Sequence, residues 1–511
     1  MPDADVRLLL LRRNLIGLSV AFVLLLAFVL VAAPAEAAKL RSDDLKVTTT
    51  PDLYPAFDPS AVSRYVVRCE GKRTRIEVVA QHGTKAGIDG HRRRSGRFHA
   101  GVPLYPGAAT VVRARNGDAH GRYVIRCLPQ DFPEYTFKRL GGPTPRWELM
   151  TVGDYAVIFD RNGVPAWWLS SPRGVNDGKL LPDGNLAWWT NGTVGPFGAD
   201  PAAVYQEFGL DGSVKNTIRA VGLNTDLHDM QQLPNGDHLV LAYSHRSHVD
   251  LSAYGQGSDA TVLDAVIQRV DPDGNVVWSW NSKDHIGLNE TGRWWSALHA
   301  PFYDILHINS VERAGDSLIV SFRHADAVYS IDRSTGDINW KLGGTHTPES
   351  LEVKNDPNGD YPLGGQHDAR FDKRGNLTVF DDETDPACGG RPPAPKCARS
   401  PRAVEFKIDE NAGTATLVKA LSDPKVDSTW CCGGARKTRN RGWIVAWGGT
   451  AKATGFAPNG AITQRYDFTP GLRVDQAIYR IVPLSKHDFT SARLRRAMDR
   501  AHPPTAWPIP R

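Results

Sequence analysis

"VYSIDRSTGDINW" (residues 328–340) is an alternating strand, a turn rich in Asp and Gly, and a second strand that ends in tryptophan. The same outline recurs clearly in "AVIFDRNGVPAWW" (156–168) and "VIQRVDPDGNVVWSW" (266–280). Weaker copies lie at 204–214, 403–418 and 455–468. Repetition at this spacing indicates an architecture built from one hairpin used many times.

A second hairpin type alternates with the first. Its copies are "KLLPDGNLAWW" (179–189), "QQLPNGDHLVLAY" (231–243), "VERAGDSLIVSF" (311–322), "ARFDKRGNLTVF" (369–380) and "RKTRNRGWIVAW" (436–447). Two hairpins make a four-stranded sheet, and a ring of such sheets buries apolar faces that a lone hairpin cannot. The sequence therefore predicts an all-β chain with a six-bladed β-propeller over residues 141–485, its tryptophans packed between blades. An open all-β sandwich is the alternative, and it accommodates so regular an alternation less well.

The regions outside the repeat have their own patterns. Residues 39–140 contain short alternating segments separated by turns, which predicts a small β-sandwich-like domain before the propeller. Residues 486–511 are predicted to form a short basic amphipathic helix and a tail. Cys69 and Cys127 stand in similar "Y-V-V/I-R-C" strands, so we expect a disulfide between them. The pairing of Cys388, Cys397, Cys431 and Cys432 is left open.

The N-terminal residues 1–38 have the pattern of an export signal. Arginines precede an apolar run from Leu15 to Ala33, and a small-residue cleavage motif follows at Ala35–Ala37. The run is also about long enough to span a bilayer as an uncleaved anchor. Both readings place the protein outside the cytoplasm, either secreted or attached to the membrane through this segment. The net charge is +5, and acidic residues are nearly as numerous as basic ones, so no nucleic-acid partner is predicted.

Three histidines share one position in the second hairpin type. His228, His307 and His367 each lie eight residues before the glycine of their hairpin turn, where the other two copies have Asn176 and a glycine. Equivalent positions of successive blades lie at the same height around a propeller axis, so the three imidazoles are expected to converge. Taken singly, each would more often be a buried histidine with a structural role.

Arg323 indicates what the histidines bind. It ends the strand that follows His307, and its permanent positive charge disfavours a divalent cation and suits an oxyanion. A surface salt bridge is the alternative role, and no metal site is predicted. Trp294 and Trp295 lie in a long loop and are candidates for lining an aromatic substrate pocket, with packing as the alternative role for at least one of them.

The segments "LHDMQQLPNGDHLV" (227–240), "DILHINSVERAGDSLIVSFRHADAVYSID" (304–332) and "GGQHDARF" (364–371), in this order, resemble the arylsulfate sulfotransferase (arylsulfotransferase) family. The resemblance extends from about Glu148 to Pro483. It implies a six-bladed propeller that moves a sulfuryl group from a phenolic sulfate ester to a phenolic acceptor through a sulfated histidine, without a nucleotide sulfate donor or other cofactor.

Matched motif by motif, the resemblance makes His367 the nucleophile and makes His228, His307 and Arg323 the residues that hold the sulfate oxygens. A neutral imidazole is a usable nucleophile, and fixed donors stabilise the charge that develops on a transferred group. Asp368 is not expected to orient His367, because neighbouring side chains of a strand point to opposite faces.

Two other function classes remain open from the sequence. One is a secreted non-catalytic β-propeller that only binds a partner, and the other is a metal-dependent hydrolase or oxidase. The physiological donor and acceptor and the oligomeric state are not determined by the sequence.

Overall fold

Short strands make up nearly all of the regular structure, so the prediction of an all-β chain is confirmed. A computed structural model describes residues 38–69, 73–192, 198–386, 399–469 and 478–503. Most of the strands end in tight turns with glycine at positive φ, as the repeated turn sequences require.

The N-terminal strands are β1 Leu45–Thr50, β2 Leu53–Tyr54, β3 Arg64–Arg68, β4 Arg73–Ala80, β5 Lys85–Ile88, β6 Gly96–Pro103, β7 Ala109–Asn116 and β8 Ala119–Leu128. The next are β9 Thr136–Arg139, β10 Trp147–Val152, β11 Tyr155–Asp160, β12 Pro165–Ser170, β13 Asn176–Leu180, β14 Leu186–Thr190, β15 Ala199–Asp200, β16 Val204–Phe208, β17 Val214–Ile218, β18 Asn224–Gln232, β19 His238–Val249, β20 Ala260–Val270, β21 Val276–Asn281 and β22 Phe302–Asp304.

The remaining elements are β23 Ile308–Ala314, β24 Ser317–Phe322, β25 Ala327–Asp332, β26 Ile338–Gly343, β27 Glu352–Lys354, β28 His367–Phe371, β29 Asn376–Asp381, β30 Arg402–Asp409, β31 Thr414–Leu421, β32 Gly434–Lys437, β33 Trp443–Ala446, β34 Lys452–Phe456, β35 Ile462–Asp467, β36 Ile481–Leu484 and the helix α1 Ser491–Ala501.

From residue 147 onward the strands form six sheets, each containing an antiparallel run of four. Written in the order in which neighbouring strands are hydrogen-bonded, the six runs are β36-β10-β11-β12, β13-β14-β16-β17, β18 to β21, β23 to β26, β28 to β31, and β32 to β35. The short strands β9, β15, β22 and β27 add to three of the sheets at their edges or sides, with β15 and β22 in the same sheet. Each quoted copy of the two hairpin types is one half of such a run.

The first sheet is completed by the last strand of the chain. β36 pairs antiparallel with β10, placing Leu484 opposite Trp147. This pairing explains why the second hairpin type has five copies and the first has six, because the inner part of the first sheet is assembled from two distant segments. The innermost strands of successive sheets contact one another, and β36 contacts both β32 and β13.

The repeated tryptophans link neighbouring sheets. Trp167, Trp280 and Trp340 each donate an indole N–H to the outer turn of the following sheet, at 2.8 Å to Leu210 O, 3.0 Å to Gly336 O and 2.8 Å to Glu410 Oε1. The three rings are buried between sheets, where a large aromatic side chain buries much apolar area and satisfies its one donor. This contact gives a physical reason for the tryptophan in the repeat.

The N-terminal region forms two sheets of its own, ordered β1-β4-β6 and β2-β3-β8-β7-β5. Their inward side chains form a separate hydrophobic cluster that includes Cys69 and Cys127. These two cysteines form the predicted disulfide, with Cα atoms 5.5 Å apart. β9, which precedes the predicted domain boundary at residue 140, pairs with β35 in the last sheet.

The other predictions on cysteines and the N-terminus have different outcomes. Cys431 and Cys432 form a disulfide with each other, whereas Cys388 and Cys397 lie outside the described residues. The predicted signal or anchor at residues 1–38 also lies almost entirely outside them. Within the described part of the chain, no helix is both long enough and apolar enough to cross a membrane.

We expect the disulfide between Cys69 and Cys127 to stabilise the N-terminal region substantially. It joins residues 58 apart, so replacing both cysteines by alanine should lower the free energy of unfolding by ~4 kcal/mol, because the unfolded chain regains loop freedom. Calorimetric unfolding of the double variant checks this, with the parent protein in reducing buffer as the control. An unchanged unfolding midpoint would contradict it.

Candidate functional site

The three histidines that share a hairpin position lie close together. His228 is in β18, His307 immediately precedes β23, and His367 begins β28. The ring centroid of His228 is 4.7 Å from that of His307 and 6.5 Å from that of His367. Each of these strands shifts its pairing register beside its histidine. Such irregularities re-aim side chains, and here they occur at the innermost strands of three adjacent sheets.

Each imidazole is held through Nδ1 by an aspartate. Asp226 accepts from His228 at 3.0 Å, Asp382 accepts from His367 at 2.6 Å, and Asp304 accepts from His307. A carboxylate that accepts the Nδ1 proton determines the tautomer and the ring orientation. In all three rings, Nε2 is therefore the nitrogen left to meet a ligand.

His367 is the most enclosed of the three, with 1% of its surface exposed. Its Nδ1 also lies 3.0 Å from the carbonyl oxygen of Gly365, whose φ of 63° requires glycine. Burial, together with the positive charge of Arg323, lowers the pKa of His367 well below its ordinary value. Burial also raises the pKa of Asp382 well above its ordinary value, so both partners resist carrying charge.

Arg323 carries a guanidinium that lies close to these rings and is held on several sides. It follows β24 and is 9% exposed, and its charged group lies 4.3 Å above the ring of Trp294. Nη1 is 2.9 Å from Nε2 of His324, and Nη2 donates to the carbonyl oxygen of Trp430 at 2.9 Å. Its buried Nε has no hydrogen-bond partner among the described residues. An orphaned charged donor in this setting is a ready contact for an anion.

His324 is a fourth histidine of the site that the sequence analysis missed. Its Nδ1 lies 2.6 Å from the carbonyl oxygen of Asp304, which can only accept, so Nδ1 carries the proton. Its Nε2 is then free to accept from Arg323. Burial and the neighbouring His307 lower the pKa of His324 well below its usual value, in keeping with a neutral ring that positions the arginine. Its place next to Arg323 in the sequence was the available signal.

The two loop tryptophans are separated by the structure. Trp294 stacks on His324 with centroids 4.6 Å apart, and its Nε1 donates to Asp326 at 2.9 Å. Trp295 instead stacks on Tyr254 in a hydrophobic cluster, and its Nε1 points to the carbonyl oxygen of Leu288. Trp294 therefore supports the arginine and histidine of the site, whereas Trp295 packs in the core.

Beneath the histidines lies a buried layer of charged side chains. Arg480 donates to the carbonyl oxygen of His228 at 2.8 Å and to Asp177 at 2.7 Å. Asp368 faces this layer, within 3.2 Å of Arg480, and also accepts from Arg436. As the sequence analysis expected, Asp368 is not the residue that orients His367.

One set of side chains in the site has the composition of a metal site. Asp304, His307 and His324 bring ligand atoms within 4.8 Å of one another. However, Nδ1 of His307 and Nδ1 of His324 are both engaged with Asp304, and Nε2 of His324 faces the guanidinium of Arg323. A permanently charged donor at that point opposes a divalent cation.

The aspartates that hold the rings were also missed from sequence. Asp226 stands two residues before His228, and Asp304 three residues before His307, so short Asp-His spacings were the available signal. Asp382 lies 15 residues after His367, on the far side of a hairpin, and no local pattern marks it. Together the site offers three imidazoles whose Nε2 atoms are free of the aspartates, and a guanidinium close to them.

No curated protein matches this chain. The solved structures similar to it include a protein of unknown function from Bacteroides caccae, with 13% identity, coverage of 67% of this chain and 99% of that chain, and a TM-score of 0.40. Virginiamycin B lyase from Staphylococcus aureus has 12% identity over 66% and 89%, with a TM-score of 0.33. A nidogen/laminin complex has 12% identity over 66% and 98%, with a TM-score of 0.36.

The comparison with protein families is more specific. The family model described as Arylsulfotransferase (ASST) matches residues 147–471. This range begins at the first residue of β10 and contains all three histidines, Arg323 and His324. The chain therefore belongs to the arylsulfotransferase family of sulfotransferase enzymes.

Proposed function

We propose that this protein transfers a sulfuryl group from a phenolic sulfate ester to a phenolic acceptor through a sulfated His367, outside the cytoplasm. The observation that carries the proposal is the placement of three imidazoles, each held through Nδ1 by an aspartate, beside a buried guanidinium. The Nε of that guanidinium has no partner within the described part of the chain. Such a set combines a nucleophile with donors for an oxyanion.

In the first half-reaction, the lone pair on Nε2 of His367 attacks the sulfur of the donor. A nitrogen–sulfur bond forms, the sulfur–oxygen bond to the aryl group breaks, and the bonding electrons leave on the phenolate oxygen. His228, His307 and Arg323 hold the three remaining sulfuryl oxygens, whose charge grows in the transition state. Asp382 accepts a hydrogen bond from the Nδ1–H of His367 and stabilises the positive charge that develops on the ring.

In the second half-reaction, the acceptor phenol attacks the sulfur and the electrons of the nitrogen–sulfur bond return to Nε2. His307 enters the first step protonated on both ring nitrogens and gives its Nε2 proton to the departing phenolate. In the second step its Nε2 takes a proton from the incoming phenol, so the enzyme is regenerated. His307 suits this exchange better than His228, because its side chain is 14% exposed against 7%.

The proposal includes closure of the six sheets into a six-bladed propeller. Contacts between the innermost strands run from β13 through β18, β23, β28 and β32 to β36, and β36 contacts β13. A ring of this kind brings equivalent positions of different sheets to one axis. It accounts for the meeting of three histidines that lie 79 and 60 residues apart along the chain.

The nucleophile can be tested with His367→Asn, which keeps a polar side chain but removes the basic nitrogen. We expect turnover of a chromogenic aryl sulfate with an added phenol to fall below detection. Mass spectrometry of the parent protein, quenched during turnover under mildly alkaline conditions, should place the added sulfuryl group on the peptide that contains His367.

Matched controls for this test are His228→Asn and His307→Asn. Each should leave a residual rate reduced about 100- to 1000-fold, because one donor is lost and the nucleophile remains. Near-parental turnover by His367→Asn, or a label on another residue, would rule out the assignment. A folded parent protein with no turnover would favour a non-catalytic binding protein.

The pairing of His367 with Asp382 predicts an acid limb in the rate. When Asp382 is protonated, it donates to Nδ1, the ring proton moves to Nε2, and Nε2 cannot attack. Burial raises the pKa of Asp382 well above its ordinary value. At the pH values where carboxyl groups usually titrate, Asp382 should therefore still be protonated, and the rate of the initial burst of phenol release should be low. That rate should increase as the pH rises above this range.

Asp382→Asn removes the group that titrates. The acid limb should then flatten, and the maximal burst rate should fall about 100-fold because the ring is less well held. Stopped-flow measurements over a range of pH check both effects. An unchanged profile in the variant would show that this pair does not control the first step.

Metal-dependent hydrolysis is the second candidate, and it is favoured by the cluster of Asp304, His307 and His324. The sulfuryl-transfer proposal predicts that dialysis against a chelator leaves the transfer rate unchanged. Loss of activity with the chelator, restored by one added divalent metal present at one ion per chain, would support the metal candidate instead.

A further inference from the structure

We propose that one face of the N-terminal region binds the surface of a membrane that contains anionic phospholipids. This basic face belongs to the sheet ordered β2-β3-β8-β7-β5, with one further residue from the loop after β5 and one from α1. It consists of the side chains of Lys85, Arg93, Arg113, Arg115, Arg122 and Arg495. The inference does not depend on the chemistry of the histidines.

Strand alternation places the basic side chains on the outer side of this sheet. The inward residues of β5 and β7 belong to the N-terminal hydrophobic cluster and are Ala86, Ile88, Val112 and Ala114. The residues between them therefore point outward. Lys85 lies opposite Arg115, and Arg113 lies opposite Arg122, so each pair is side by side on the outer surface.

Two further arginines extend the face beyond the strands. A Cβ added at Gly87, which lies opposite Arg113, would meet Cγ of Arg93 at 3.4 Å, so Arg93 covers the same side of the sheet. Burial and the like charges of Arg495 and Arg113 lower the pKa of Arg122. The α1 arginine therefore lies close to the strand arginines.

Acids do not neutralise the basic face. Asp499 of α1 pairs with Arg126 at 2.5 Å, and Asp89 accepts from Oγ1 of Thr110 at 2.6 Å. Asp118 lies in the turn between β7 and β8. Among the described residues, no ion pair within 4.0 Å joins an acid to Lys85, Arg93, Arg113, Arg115 or Arg122. The face therefore carries an excess of positive charge.

This arrangement favours an extended anionic partner. Like charges directly opposite one another on a sheet repel, and an anionic surface relieves that repulsion. None of the large apolar side chains that are exposed in the described part of the chain lies on the basic face. The face thus lacks the aromatic side chains on which single-stranded nucleic acids stack. It offers charge over a sheet surface, which matches an array of lipid phosphates.

The path of the chain selects a membrane as the anionic partner. The carbonyl oxygen of Ala38 accepts from the backbone N–H of His120 at 3.3 Å, and His120 lies opposite Arg115. The apolar run of the sequence ends at Ala33, five residues earlier, a stretch that spans at most about 18 Å. If the run is an uncleaved anchor, the basic face lies beside the lipid headgroups. Anionic headgroups attract basic side chains over about one Debye length, ~10 Å at 0.1 M salt.

The test is flotation of the full chain with phospholipid vesicles. Every protein in the test carries Leu24→Asn, Leu25→Asn and Leu26→Asn, because polar side chains in the middle of the apolar run oppose its insertion. Vesicles of phosphatidylcholine are compared with vesicles that contain about one-third phosphatidylglycerol. At about 0.1 M salt, partition onto the anionic vesicles should exceed partition onto the neutral ones at least about 100-fold. Equal partition would overturn the inference.

The strand arginines are tested together by replacing Arg113, Arg115 and Arg122 with glutamine. Each basic side chain near an anionic membrane contributes about fivefold to binding, so the preference for anionic vesicles should fall below about tenfold. A second variant, Lys85→Gln with Arg93→Gln, changes an edge strand and a loop and should lose about 25-fold. The result therefore does not rest on the folding of the triple variant alone. Parental preference in both variants would overturn the inference.

The matched control replaces Lys283, Lys373 and Lys407 with glutamine, three exposed lysines from the part of the chain after residue 147. It lowers the net charge by the same three units and should keep the parental preference for anionic vesicles. Equal losses in the two triple variants would show that overall charge is responsible and would overturn the inference. Binding to dextran sulfate, a soluble polyanion, without a preference for anionic vesicles would also overturn it.

Discussion

The buried guanidinium of Arg480 holds together segments that are far apart in the chain. It directly precedes β36, and it bonds Asp177, the carbonyl oxygen of His228 and the carbonyl oxygen of Asn309, with Asp368 within 3.2 Å. These partners come from four different sheets. A buried cation must have its donors satisfied or it is costly, so the innermost strands can approach one another only in the arrangement that surrounds this side chain.

That constraint also positions the reactive residues. The carbonyl oxygen that Arg480 holds belongs to His228 itself, and Asp368, which it approaches, follows His367 in the chain. The layer of paired charges thus supports the backbone of His228 and the strand that begins at His367. Several buried polar atoms at the site have no hydrogen-bond partner among the described residues, including Nε of Arg323 and Oδ1 of Asp382.

In the proposed function, similar side chains have different tasks. Three histidines with the same Nδ1 partner type differ in enclosure, since His367 is almost fully buried and His307 is the most open. Burial keeps a ring neutral and nucleophilic, and exposure lets a ring exchange protons.

The sequence alone determined the all-β class, the two alternating hairpins and the shared position of His228, His307 and His367. Local patterns suffice for these, because strand alternation, turn residues and repeat spacing are properties of neighbouring residues. It did not reveal the pairing of β36 with β10, which joins segments more than 300 residues apart. Nor could it identify Asp382 or His324 as partners, or separate Trp294 from Trp295. Those outcomes depend on which side chains meet across sheets, and only the tertiary structure brings them within hydrogen-bonding distance.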